Sequence, residues 1–191
     1  MRSNQFVKFK NINLSLFKTL KNIEKKKSFF HHKEIPELKK FMLECKTMLD
    51  TKKDTRALII CLYPKNHNFS KFSAHTVKKI LEIMSDYAGD TLVQNASKDK
   101  LIEVYDRDRK LSMHKGSRYH QTREGGSIHT DNVNIPTGWE YLMFGCLSSS
   151  KAGGETILVD SKIIHRQLNS NFIEAKKILE QNFYWEKRGV A

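Results

Sequence analysis

The stretch "EGGSIHTDNVN" places His129 and Asp131 two residues apart, directly after a glycine pair. Along an extended backbone, residues i and i+2 point to the same side. An imidazole nitrogen and a carboxylate oxygen would therefore meet at one point, with Thr130 turned away. That donor set suits a metal ion taking nitrogen and oxygen ligands. No cysteine lies in the stretch, which argues against a structural zinc site. Gly125 and Gly126 would let the backbone turn tightly beside that point. Taken alone, the pair also reads as a turn aspartate beside a surface histidine, so the flanking sequence decides between the two.

A second polar group follows 27 residues after His129, where Thr156 stands in "AGGETILVD". The order "GGSIHTDNVN", "EYLMFGCLS", "AGGETILVD" resembles the TauD/TfdA (taurine-dioxygenase-like, clavaminate-synthase-like) Fe(II)/2-oxoglutarate-dependent oxygenases. The clear resemblance covers residues 117–165. It implies a jelly-roll (double-stranded β-helix) core. His129 and Asp131 become two members of a 2-His-1-carboxylate triad, and so the catalytic and metal-ligating residues. Thr156 becomes the residue whose hydroxyl helps to bind the cosubstrate. The implied cofactors are Fe(II), 2-oxoglutarate and O2. The implied reaction couples decarboxylation of 2-oxoglutarate to succinate with oxidation of a substrate C–H bond. Related halogenases carry a small residue at the position of the carboxylate. The presence of Asp131 therefore points to hydroxylation or a related oxidation.

The chain departs from the family pattern in one respect. The family has a second histidine well downstream, followed by an arginine that binds the distal carboxylate of 2-oxoglutarate. After Asp131 this sequence has only His165, in the helical-looking "SKIIHRQL", before it ends at Ala191. An exposed helix histidine is the expected role of His165, and Arg166 and Arg188 are poor stand-ins for the missing arginine. The C-terminal strands of the jelly roll also look to be missing, which would leave an open sheet edge. The expectation is thus the N-terminal portion of an oxygenase: a fragment, a split gene or a decayed copy. Otherwise a completing chain or a homo-oligomer supplies the rest. The alternative function is a non-catalytic remnant or binding module that keeps the scaffold.

These residues need elements to position them. The chain has 191 residues, 39% hydrophobic and 29% charged, as in an ordinary globular protein. No apolar run reaches the roughly 18 residues of a membrane-spanning helix. Residues 36–49 have apolar positions at helical spacing behind Pro36. "RALIICLY" at 56–63 reads as a buried strand, and 73–89 as a helix with Ser73 as N-cap and Gly89 as stop. Short strand-like runs follow at 101–108, 116–122, 125–132, 140–148 and 154–160, divided by glycine and proline. "SKIIHRQL" and "NFIEAKKILEQNF" are helical, with Asp160 as an N-cap. The fold class is α+β: a partial jelly-roll β core flanked by N-terminal helices. The domains divide as a basic, mainly helical region 1–54 and an oxygenase-like region 55–191.

Charge and cysteine content bound the rest. The net charge is +13, and residues 1–54 carry 14 basic against 6 acidic side chains. The excess sits away from the polar motif. It lacks interleaved aromatics or a helix-turn-helix pattern, so a solvated lysine face is favoured over nucleic-acid binding. No continuous apolar segment follows the basic N-terminus, which excludes a secretory signal. Cys45, Cys61 and Cys146 are too widely spaced for a metal or disulfide framework, as in a reducing cytoplasm. The expected partner is a small-molecule substrate, not a membrane. Tyr119, His120, Gln121 and Arg123 either line its pocket or decorate a strand, while Asn132 and Asn134 read as turn residues.

Overall fold

The computed structural model describes residues 6–27, 34–51, 55–65, 70–95, 97–108, 110, 112, 114, 117, 119–122, 124–131 and 138–184. The chain forms two compact units. The first comprises Met1–Leu92 and Met143–Leu147, the second Val93–Leu142 and Ser148–Ala191.

The first unit runs β1 (Val7–Asn11), α1 (Leu14–Lys25), α2 (Pro36–Thr51), β2 (Ala57–Cys61), α3 (Ala74–Ala88). The two strands pair in parallel, Val7 opposite Ala57 and Asn11 opposite Cys61. Parallel neighbours need a crossover connection, which α1 and α2 provide. Leu58 and Ile60 of β2 pack against the core. The alternate residues face outward, leaving Phe9 75% and Ile59 48% exposed. The strand expected at 56–63 is therefore present, but only one of its faces is covered.

Helix α1 starts where the Asn13 side chain accepts the Leu16 N–H at 2.8 Å. It buries Leu16, Phe17, Leu20 and Ile23, one stripe at helical spacing. Leu38, Phe41, Met42 and Cys45 of α2 and Ile80 and Met84 of α3 close the same core. Burial pushes the Cys45 thiol above its ordinary range. Phe17, Tyr63 and Phe72 form a cluster of tilted rings with centroids 5.3–6.0 Å apart. Two tyrosine hydroxyls accept backbone N–H groups, Tyr63 from Phe72 at 3.0 Å and Tyr87 from Ile35 at 2.7 Å.

Ser73 caps α3 as expected, accepting the Thr76 N–H at 3.1 Å. Gly89 ends the helix in an extended conformation, φ 164°. The helix therefore stops without a left-handed cap.

Glu24 ties α1 to the start of α3, accepting from Lys21 Nζ at 2.7 Å and from the Ser73 N–H at 2.8 Å. Burial pushes its carboxyl up, but the hydrogen bonds from Lys21, Ser73 and Thr76 together outweigh this and hold it below its ordinary 4.5. A carboxylate depressed in the folded state contributes stability above its unfolded value and loses it as pH falls through the folded one. Glu24→Ala is expected to lower unfolding free energy at neutral pH by about 1.5–3 kcal/mol, the worth of hydrogen bonds to a charged group. The deficit should shrink in acid. Urea unfolding at pH 7 and below pH 4.5 checks this; an equal deficit at both would refute the coupling.

The second unit holds α4 (Ser161–Asn171) and α5 (Ile173–Leu179), and neither buries a residue. Asp160 caps α4 by accepting the Lys162 N–H at 2.9 Å. The hydrophobic core found among the described residues consists of residues of the first unit. The strand-like runs of the second unit carry no ladders among the described residues. The β structure described is thus the two-stranded parallel sheet, within a mixed α and β chain. Among the described residues no helix is long and apolar enough to cross a membrane.

Candidate metal centre

In the second unit, the run 105–107 lies beside 120–121. Tyr105 N–H donates to the His120 carbonyl at 3.2 Å, and Arg107 N–H to the Gln121 carbonyl at 3.1 Å. A 3-10 turn spans Tyr119–Gln121. These two bonds join segments that both read as strands, at a point where the second segment turns instead of extending. Thr122 is buried, and its hydroxyl accepts the Glu124 N–H at 3.1 Å. That turn launches the stretch Glu124–Asp131.

The structure brings His129 and Asp131 together, with His129 Nε2 3.4 Å from Asp131 Oδ1. The imidazole's other nitrogen, Nδ1, lies 2.5 Å from the Ser127 carbonyl oxygen. A carbonyl can only accept, so Nδ1 carries the hydrogen. In the neutral ring Nε2 is then an acceptor, and it faces a carboxylate that is also an acceptor. Two lone pairs at that separation are stabilised by a positive charge between them, either a proton or a metal ion. The distance is long for a strong hydrogen bond. It is short enough that His129 and Asp131 could together hold one ion. The pair therefore fits a metal as two of its ligands. The side chains are 46% and 31% exposed, so an ion has access.

Among the described residues, no group of three or more His, Cys, Asp or Glu side chains could hold a metal ion. His165 sits exposed on α4, its Nδ1 3.0 Å from Asn169 Nδ2 one turn on. Arg166 donates through Nε to the Lys162 carbonyl at 3.3 Å. Both are ordinary surface-helix arrangements, matching the role expected of His165.

Thr156 belongs to the same compact unit as His129 and Asp131. It is exposed, in a segment without regular secondary structure that follows Gly153 and Gly154. Those glycines have φ of +74° and +80°. Two successive left-handed residues are strained for any side chain but strongly permitted to glycine. The Ser150 hydroxyl closes this turn by donating to the Gly153 carbonyl. The sequence "AGGET" thus dictates where the chain reverses before Thr156.

The first glycine pair works differently. Neither Gly125 nor Gly126 has a left-handed φ. A Cβ on Gly126 would lie 3.3 Å from His129 Cε1 and 3.7 Å from Nδ1, whereas one on Gly125 would meet nothing within 4 Å. Gly126 is thus the room the imidazole occupies rather than a tight turn. Arg123, Asn132, Asn134 and Arg188 lie outside the described residues.

The family model described as "Taurine catabolism dioxygenase TauD, TfdA family" matches residues 65–190. No curated protein and no solved structure matches the chain.

Proposed function

The chain belongs to the TauD/TfdA dioxygenase family, and from that premise we propose that it serves a 2-oxoglutarate-dependent oxidation of a small-molecule C–H bond. The observation that carries this reading is the approach of His129 Nε2 to Asp131 Oδ1 at 3.4 Å. Members of the family are dioxygenases, generally dependent on Fe(II) and 2-oxoglutarate.

In this reading His129 and Asp131 hold the iron from one side. Bound there with 2-oxoglutarate and O2, Fe(II) supplies the redox chemistry that converts R–H, 2-oxoglutarate and O2 to R–OH, succinate and carbon dioxide. The neutral His129 ring contributes a nitrogen lone pair, and Asp131 contributes one negative charge that offsets part of the ion's charge. The Thr156 hydroxyl donates to a carboxylate oxygen of the cosubstrate, a hydrogen bond strengthened by the acceptor's charge. The apolar residues of 101–105, 141–147 and 155–159 are those a jelly roll would bury between its sheets. Ile157, at 74% exposed, is one of them. Another chain that pairs with these segments would complete such a core. Three free cysteines fit a reducing cytoplasm.

The test is an anaerobic titration of the chain with Fe(II) and 2-oxoglutarate. A metal-to-ligand charge-transfer absorption should appear only when both are present. Its absence at saturating concentrations of both would count against the assignment. Binding of both without succinate formation in air would mark a scaffold retained for binding alone.

Thr156→Val keeps the shape of the side chain and removes the donor. It is expected to weaken 2-oxoglutarate binding roughly 5- to 10-fold, the worth of one such hydrogen bond. Metal affinity, measured with Mn(II) in the absence of cosubstrate, should hardly change. Equal losses in both titrations would show misfolding, not a lost cosubstrate contact.

A further inference from the structure

We propose that Gly126 and the Ser127 carbonyl form a seat for the His129 ring, fixing its Nδ1–H tautomer and presenting Nε2 to the cation position shared with Asp131. The proposal rests on the metal-site reading above and assigns positioning roles to two residues that touch neither metal nor substrate.

Three observations converge on it. The Ser127 carbonyl lies 2.5 Å from Nδ1, which requires the hydrogen on that nitrogen. Nε2 is the ring nitrogen that faces Asp131, 3.4 Å from its Oδ1. The third is the empty volume at Gly126, where a single added methyl carbon would stand 3.3 Å from the ring. That is closer than carbon atoms ordinarily pack, so the ring would have to move by a few tenths of an ångström.

The seat matters because an isolated imidazole in water favours the other tautomer, with the hydrogen on Nε2. A ring in that form must shift its proton before it can ligate through Nε2. Outer partners that hold the ligating tautomer strengthen metal binding. Here that partner comes from the backbone two residues earlier. The seat is therefore built into one short stretch and needs no distant side chain.

The neighbouring glycine supplies the control. Gly125 and Gly126 both have backbone conformations open to alanine, yet only Gly126 faces the ring. The experiment uses the 15N-labelled 191-residue chain, free of metal, at a pH where the ring is neutral. Nitrogen chemical shifts separate protonated from bare ring nitrogens, with His129 assigned by its loss in His129→Asn. The wild type and Gly125→Ala should show a protonated Nδ1 and a bare Nε2. Gly126→Ala should shift the population toward Nε2–H. In a parallel Mn(II) titration, Gly126→Ala should bind on the order of 10-fold more weakly, the scale set by outer-shell partners of metal ligands. Gly125→Ala should bind as the wild type does.

A wild-type ring dominated by Nε2–H overturns the seat. So does a Gly126→Ala spectrum that matches Gly125→Ala. The spectra are taken without metal, so they judge the seat independently of the oxygenase assignment. An Nδ1–H ring in a chain that fails to bind Mn(II) would uphold the seat and retire the metal reading instead.

Discussion

Asp131→Ala and His129→Ala should each weaken divalent-metal binding at least about 100-fold, since outer-shell partners alone are worth about 10–100-fold. The physical reason is the pairing of two acceptors across 3.4 Å. Removing either leaves one monodentate ligand on an exposed segment, little better than a single side chain in water. Asp131→Glu keeps the charge but moves the oxygen by one methylene, so its affinity should fall between wild type and alanine. Asp131→Asn keeps the shape and loses the charge; it should behave more like alanine if electrostatic attraction dominates. Mn(II) or Co(II) titration reads all four variants. Far-ultraviolet circular dichroism should be unchanged in each, because neither residue belongs to a helix, to the paired strands or to the buried core. Unchanged affinity in both alanine variants would remove the site from the protein.

The approach of His129 to Asp131 was legible in the sequence from their two-residue spacing. Two residues apart on an extended chain share a side whatever the rest of the fold does. The helices were legible for a related reason. A helix satisfies its hydrogen bonds within itself, so caps such as Ser73 and Asp160 and stripes such as Val77, Ile80 and Met84 carry their own signal. By the same logic α1 was there to be read: Asn13 as cap, then Leu16, Phe17, Leu20 and Ile23. Its five lysines between 18 and 27 sit within a region whose composition already reads as basic and mainly helical. Strand β1 is harder, because "VKFKN" becomes a strand only by pairing with Ala57–Cys61, some fifty residues later.

The strand-like runs after residue 100 show the limit of such reading. Their composition is apolar and β-branched, but a ladder needs a partner whose position no local pattern encodes. The two bonds from 105 and 107 to 120 and 121 are the start of such a pairing. The role of Gly126 was hidden for another reason. Sequence shows that a glycine is present, but not whether it is there for its dihedral freedom or for the space left by its missing Cβ. Gly153 and Gly154 illustrate the first case, and Gly126 the second.

Leu20→Ala should be among the most damaging truncations in the first unit. Leu20 is fully buried, in the middle of the α1 stripe that packs with α2 and α3. Deleting a buried leucine to the β-carbon costs about 2–5 kcal/mol, as lost transfer free energy plus the cavity left behind. The total stability of a domain is only about 5–15 kcal/mol, so this single change removes a large share of it. Leu179→Ala makes the contrast. Leu179 is 60% exposed on α5, a helix that buries nothing, and its truncation should stay within about 0.5 kcal/mol. Urea unfolding followed by the helical signal measures both. The comparison also tests where cohesion lies. If Leu179→Ala proved as costly as Leu20→Ala, the apolar face of α5 would be covered in solution, and the second unit would hold a core of its own. If the ordering is as expected, the first unit carries the stability. The polar stretch with His129 and Asp131 would then be free to change sequence, and so chemistry, at little cost to folding.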